Sequence, residues 1–301
     1  MIRIETGRRL HFGLFAPIPV PELNLVYGGL GAMVRATGAI ITGIPAAHWS
    51  VQGVEAERAC RYLEAIRRQA PDLKPVRIEV EYVAPAHQGW GSGTQLALAL
   101  AELCLRANGM SYNKELLVTL TGRGKRSSIG IMGYQEYGLF LDRGRTIEKD
   151  TVNRQILRTT IPEHWRVVLV EPVEQQGLHD KEESEAFERI RYIDQKLVQE
   201  LQQRAEAIIR AAEVERFEEF ADYLTEYNRL AGLHYQPVQG GCYSTSKIAE
   251  RIQTLQQYGA RGVGQSSWGP GLYAWFPGEE QALAFTSRCP KEGCRFLVTQ
   301  A

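Results

Sequence analysis

The chain has 301 residues, 44% of them hydrophobic, and Lys+Arg and Asp+Glu both total 35, so its formal net charge is zero. A length above roughly 250 residues tends to split a single core, which implies two lobes. The balanced charge excludes a global basic field for nucleic acid or an anionic membrane, so an anionic ligand requires a local cationic cluster.

Met1 to Leu23 carries charges and prolines but no apolar h-region, and is not expected to act as a signal peptide. Within it lies Arg8-Arg9-Leu10-His11-Phe12-Gly13, where His11 is an acid, a base or a satisfied core histidine. Tyr27 to Gly31 reads equally as a hairpin or as a loop that a ligand approaches. The uncharged stretches Ala36 to Val54 and Val83 to Ala101 approach spanning length, yet Gly, Pro, His or Gln interrupts each, so neither is expected to cross a bilayer.

Val76 to Val83 alternates apolar residues with Arg77, Glu79 and Glu81, the period-2 pattern of a strand with one wet face. The next segment, Pro85 to Gln95, contains Gly89-Trp90-Gly91-Ser92-Gly93-Thr94. Ser92 can cap a helix whose apolar positions Leu96, Ala99, Leu100, Leu103 and Ala107 run to the stop at Asn108-Gly109. A glycine loop between strand and helix start offers close backbone approach, open N–H donors and a positive dipole end, so it suits phosphate or pyrophosphate. The alternative is a tight turn that only packs strand on helix. The loop lacks the Gly-Lys-Ser/Thr of a Walker A motif and the third glycine of a dinucleotide fingerprint.

Further along, Gly122-Arg123-Gly124-Lys125-Arg126-Ser127 sets three cations among glycines and a hydroxyl, a set that can hold a sugar phosphate or diphosphate. Glu136 and Asp142 flank the apolar run Leu139-Phe140-Leu141, where a carboxylate binds Mg2+, acts as a base or simply forms a turn. His87, beside the glycine loop, is an acid, a base or structural. Arg166 to Val170, Leu272 to Phe276 and Arg295 to Thr299 are short apolar strands. Glu182 to Gly232, free of proline and striped with Phe187, Ile190, Leu197, Leu201, Ile208 and Ala212, predicts one or two long amphipathic helices. Ser244 to Tyr258 is another helix. Gly262 to Pro270 holds Gln265-Ser266-Ser267-Trp268, hydrogen-bonding groups beside an aromatic wall for a planar ligand or for closing a phosphate site. Strands and helices mix without βαβ alternation, which favours α+β, with the softest boundary near Thr151 to His164. The five cysteines are odd in number and scattered, and are expected to be reduced thiols in a cytoplasmic protein.

Gly89 to Gly93 after a strand resembles the central glycine-serine motif of the GHMP kinases. Read with Gly122 to Ser127 and Gly264 to Pro270, and with Arg9 to Gly13, Tyr27 to Gly29 and Gly138 to Gly144 in order, the chain resembles the β-ribofuranosylaminobenzene 5'-phosphate synthases of that superfamily. Trp90 stands where that family carries a smaller aliphatic residue. The resemblance implies a two-lobed α+β fold, with an N-terminal mixed sheet and helix domain over residues 1–155 and a ferredoxin-like C-terminal α/β sandwich over 156–301. It implies condensation of phosphoribosyl pyrophosphate with 4-aminobenzoate or 4-hydroxybenzoate, with loss of pyrophosphate and CO2, in methanopterin biosynthesis, by a Mg2+-dependent homodimer. On that reading Gly89, Gly91, Ser92, Gly93, Thr94 and Gln95, with Arg123, Lys125, Arg126 and Ser127, hold phosphates, and Ser92 and Asp142 hold the metal. Arg9, His11, Gln265, Ser266, Ser267 and Trp268 surround the substrates, and His87, Glu136 and Asp142 are the candidates for proton transfer. An ATP-dependent small-molecule kinase and a non-catalytic sugar-phosphate-binding protein are the alternatives.

Overall fold

The first 45 residues build two long strands, β1 (Ile2–Val20) and β2 (Leu25–Pro45), paired antiparallel from Ile2 opposite Gly43 to Val20 opposite Leu25. A 3-10 turn at Pro21–Leu23 joins them, closed by Asn24 at φ 44°, a left-handed conformation that asparagine tolerates better than most residues. Register shifts around Gly7, between His11 and Gly13, and after Ala16 break the ladder, so the ribbon can bend along its length. Tyr27 to Gly31 is neither hairpin turn nor free loop. It lies within β2, kinked by positive φ at Tyr27 and Gly28, and a Cβ on Gly28 would stand 2.6 Å from the Gly144 nitrogen.

This computed structural model describes residues 1–148, 156–173 and 180–301, without the side chains of 180–184. After the hairpin come β3 (Ser50–Gly53), α1 (Ala56–Gln69), β4 (Val76–Val83), α2 (Ser92–Ala107), α3 (Lys114–Thr121), α4 (Ile129–Met132), β5 (Gly138–Asp142) and β6 (Ile156–Thr159). The first sheet runs β3-β4-β2-β5-β6, with β1 pairing on β2, and all its pairs are antiparallel except β3 with β4. Helix α2 is buried from Gln95 to Leu105 and packs on β1 and β2, so its apolar residues face protein on all sides. The alternation read in Val76 to Val83 gives a strand with those bounds, its even positions inward. Because β6 pairs with β5, the first sheet extends past residue 155 to Thr159; residues 151–155 of the expected boundary lie outside the described residues.

The rest comprises β7 (Arg166–Pro172), α5 (Asp180–Arg189), α6 (Gln195–Glu213), α7 (Phe217–Leu233), α8 (Gln236–Gln239), α9 (Ser246–Gln257), β8 (Arg261–Gln265), β9 (Leu272–Phe276), α10 (Glu279–Arg288) and β10 (Cys294–Thr299). The second sheet, β10-β7-β9-β8, is wholly antiparallel. The long amphipathic stretch divides into three helices rather than one or two. Asp194 caps α6 by accepting from the Lys196 N–H at 2.9 Å, and Glu215 at φ 57° turns the chain into α7. Helices α6 and α7 bring Ile208, Phe220, Leu224 and Tyr227 into one buried cluster with Phe12, Leu14 and Phe15 of β1, Trp165 just before β7 and Trp275 of β9. Other buried side chains of that sheet, Val168, Val170 and Ala274, pack with Ile248, Ile252, Leu255 and Phe285 of α9 and α10.

A buried charge cluster also joins the sheets. Arg8 on β1 pairs with Glu171 on β7, and its guanidinium donates to the Tyr82 hydroxyl at 2.7 Å and the Thr37 carbonyl at 2.9 Å. Glu171 also takes Arg295 of β10, at 2.6 and 2.8 Å. All five cysteines are free, and among the described residues no helix is long and apolar enough to cross a membrane.

Candidate active site

Three loops meet between the sheets. The first, between β4 and α2, seats itself by backbone on the third, after β8. Ser266 donates its hydroxyl to the Gly89 carbonyl at 2.8 Å, and the Gly271 N–H donates to the Gln88 carbonyl at 3.2 Å. A Cβ on Gly89 would lie 1.9 Å from the Ser266 carbonyl oxygen, so this contact, together with φ 87°, requires glycine. Trp90 turns away from the ligand side. Its indole is 1% exposed and donates to the Gln88 amide oxygen at 3.1 Å, while the Gln88 amide donates to Pro172 at 2.8 Å. The substitution of a large residue here therefore fills core beneath the loop rather than reshaping a pocket.

The second loop starts at Gly122, the left-handed cap of α3, and is fixed at its far end. Asp142 accepts the Ser128 N–H at 3.2 Å and the Gly144 N–H at 2.9 Å, and Arg145 donates to the Lys125 carbonyl at 2.9 Å. The third loop is held by Asn228 of α7, which donates to the carbonyls of Phe12 (2.7 Å) and Gln265 (2.9 Å) and accepts from the Gln265 N–H (2.9 Å). His11 ties in as well. Its N–H donates to the Ser266 hydroxyl at 3.1 Å and its carbonyl accepts the Ser267 N–H at 3.0 Å.

These loops and α7 enclose a cavity of roughly 510 Å³, a size suited to a small-molecule ligand. One part is cationic, lined by Arg9, Arg123, Lys125 and Arg126 with the hydroxyls of Thr94 and Ser127, and no described residue of the lining is an Asp or Glu. His11 adds no charge there, because burial and the neighbouring Arg9 pull its pKa down to about 3. Its Nε2 stands 3.1 Å from the Ser127 hydroxyl. Arg123 lies 4.6 Å over the ring of Tyr62, whose hydroxyl accepts from Arg58 at 3.0 Å, and a Cβ on Gly93 would stand 2.7 Å from an Arg58 nitrogen. Guanidinium groups thus stand at the start of α2, where the helix dipole itself favours an anion. The remaining lining includes the aromatic rings of Phe12, Phe187, Tyr235, Tyr243 and Trp268, with Asn228, Gln239 and Cys242. Tyr235 and Trp268 are edge to face at 4.6 Å between centroids.

Of the residues expected from sequence, the structure brings together Arg9, His11, Thr94, Arg123, Lys125, Arg126, Ser127, Gln265, Ser267 and Trp268. Gly89, Gly91, Ser92, Gly93, Gln95 and Ser266 lie behind the lining and shape it. Gln95 is fully buried, donating to the Gly130 carbonyl at 2.7 Å, and Ser266 is fully buried between loops. Three residues expected to move protons stand outside the cavity. Glu136 is paired with Lys114 and, at 3.4 Å, with Arg158; Asp142 is occupied by two backbone N–H groups; His87 takes positive φ in the turn before Gly89. Sequence reasoning missed Phe187 and Tyr235, read only as helix stripe or not at all, and the Arg58–Tyr62 pair, whose i, i+4 spacing on α1 was the available signal.

Of the two residues expected to hold a metal, Ser92 begins α2 and Asp142 ends β5. Asp142 accepts the Ser128 and Gly144 N–H groups, and the Ser92 side chain is buried. Among the described residues no group of three or more His, Cys, Asp or Glu side chains is placed to hold a metal ion.

The sequence matches the profile of the GHMP kinases N terminal domain over residues 56–134 and that of the GHMP kinases C terminal domain over 205–293. Together these span more than half of the chain, which belongs to the GHMP kinase family. It is 25% identical over 236 residues to the β-ribofuranosylphenol 5'-phosphate synthase of Methanothermobacter thermautotrophicus, covering 72% of this chain and 70% of that one. A protein of the same name from Archaeoglobus fulgidus is 25% identical over 210 residues, 63% of each chain. Streptococcus pneumoniae phosphomevalonate kinase in complex with phosphomevalonate and AMPPNP superposes over 100% of both chains with a TM-score of 0.71 at 14% identity, a likeness of fold alone.

Proposed function

We propose that the protein is an enzyme that joins the ribose of phosphoribosyl pyrophosphate to an aromatic acid, 4-hydroxybenzoate or 4-aminobenzoate, releasing pyrophosphate and CO2 in methanopterin biosynthesis. The observation that carries this reading is a cavity with four cationic side chains, no carboxylate among its described lining residues, and five aromatic rings. A phosphorylated sugar diphosphate brings several negative charges, and the guanidiniums of Arg9 and Arg123 with Lys125 answer them. Departure of pyrophosphate leaves positive charge on the anomeric carbon, so the barrier falls where the leaving group is neutralised and the ring is held against that carbon. The relatives' names specify a phenol, which puts the hydroxyl acid first.

The chemistry asks for little proton transfer, in keeping with a lining whose histidine is neutral. His11 keeps the Ser127 hydroxyl oriented toward the phosphates, and Asp142 positions the cationic loop through Ser128. A divalent cation, where one takes part, enters on the diphosphate. A homodimer belongs to the same proposal, and light scattering reads it.

The test is to incubate the purified protein with Mg2+, phosphoribosyl pyrophosphate and carboxyl-labelled 4-hydroxybenzoate, counting CO2 and pyrophosphate together. Equal release is expected. Absence of both, with ATP consumed in the presence of small alcohols, would make the protein a kinase like those whose fold it shares.

A further inference from the structure

The cationic loop and the aromatic rings meet at one residue. The Arg126 guanidinium lies 4.3 Å over the ring of Phe187, whose centroid is 6.0 Å from that of Trp268 and 5.9 Å from that of Tyr235. Arg126 was expected from sequence to hold phosphate, but its charge is set against the rings, one residue from the Ser127 that faces His11. A cavity wall of contacting rings edged by a guanidinium is complementary to an aromatic carboxylate, since the wall packs against the ligand's ring and the fork takes its anion. Gln239 bounds another part of the same cavity. Its amide protons go to the carbonyls of Gly241 at 2.9 Å and Gly232 at 3.4 Å, so the group it can offer a ligand is its oxygen, an acceptor.

Resting on the reaction proposed above, we propose that the aromatic acid binds in the cavity against the cluster of Phe187, Tyr235 and Trp268, with its carboxylate on Arg126 and its para-hydroxyl toward Gln239. This turns the carboxylate-bearing ring carbon toward the phosphate end. That carbon forms the bond to the anomeric carbon as the bond to pyrophosphate breaks and its electron pair leaves with pyrophosphate. The bond to the carboxylate then breaks, its electron pair restores the aromatic ring, and CO2 departs neutral; no proton is gained or lost. Arg126 therefore recognises a charge that the reaction removes, which favours substrate over product at this position.

The experiment measures binding of 4-hydroxybenzoate by calorimetry, in saturating inorganic diphosphate, to the wild-type protein and to Arg126→Gln, Arg126→Lys and Trp268→Leu, each first shown to melt as the wild type does. Phosphoribosyl pyrophosphate binding is measured in parallel. Arg126→Gln is expected to weaken the aromatic acid about 10- to 100-fold and phosphoribosyl pyrophosphate by less than about 3-fold, with partial recovery in Arg126→Lys. Trp268→Leu is expected to weaken the acid, and 4-hydroxybenzyl alcohol is expected to bind wild type and Arg126→Gln alike. Loss of phosphoribosyl pyrophosphate instead, or no binding of the acid to the wild type, overturns the assignment. Arg126-dependent binding without turnover would remove the reaction and leave the binding site; turnover with an unchanged KM for the acid in every variant would do the reverse.

Discussion

His11 and His234 are buried as uncharged groups. Burial lowers His11 to about 3 and His234 to about 4 from an ordinary 6.5. Both folded values are depressed, so the unfolded chain binds more protons between pH 6.5 and about 4, and stability is full above 6.5 and falls as the pH drops. Each should cost about 1.4 kcal/mol per pH unit in that window. Urea unfolding at pH 7 and pH 5 checks this, and His234→Asn should remove its share of the loss. For Arg9, the expected effect of Arg9→Met is a fall of about 10- to 100-fold in kcat/KM for phosphoribosyl pyrophosphate, the scale of one hydrogen bond to a charged group. The variant should also show a weaker dependence of that constant on salt.

Among the elements, the three glycine loops act through one another. Gly89→Ala forces a methyl group against the Ser266 carbonyl, and is expected to separate the first and third loops and abolish activity while the helices persist by circular dichroism. Asp142→Ala frees the Ser128 end of the cationic loop, so KM for phosphoribosyl pyrophosphate should rise about 10-fold with a smaller change in kcat, the scale of a lost hydrogen bond to a charged group. The loops were legible in the sequence because glycine and proline punctuate locally, as were β4, β9 and α2, whose periodicity is local too. Which loop residues face a ligand was not legible. Gly89, Ser92 and Gln95 have the chemistry of a phosphate cradle, yet long-range contacts with Ser266 and Gly130 bury them or use their groups. The β1–β2 ribbon was missed for a similar reason: prolines and bulges hide its alternation, and both lobes bury parts of it, so neither face is polar throughout.

At the scale of the molecule, the two sheets are held together by a shared core and by the Arg8–Glu171–Arg295 cluster. Removing Arg8 leaves the buried Glu171 with Arg295 alone, so Arg8→Met is expected to cost about 1.5–3 kcal/mol, with unfolding in urea remaining a single transition because α6 and α7 still join the sheets. Arg295→Met, which removes an exposed partner, should cost much less. The ribbon has a temporal consequence as well. Its residues are synthesised well before those they contact: Phe12 is bonded to Asn228, 216 positions later, and His11 to Ser266, 255 positions later. Closing contacts of such sequence separation is slow. The cavity is therefore assembled from the two ends of the folding history, and in refolding experiments ligand binding should return after the helical signal has recovered, with Trp268 reporting the later event.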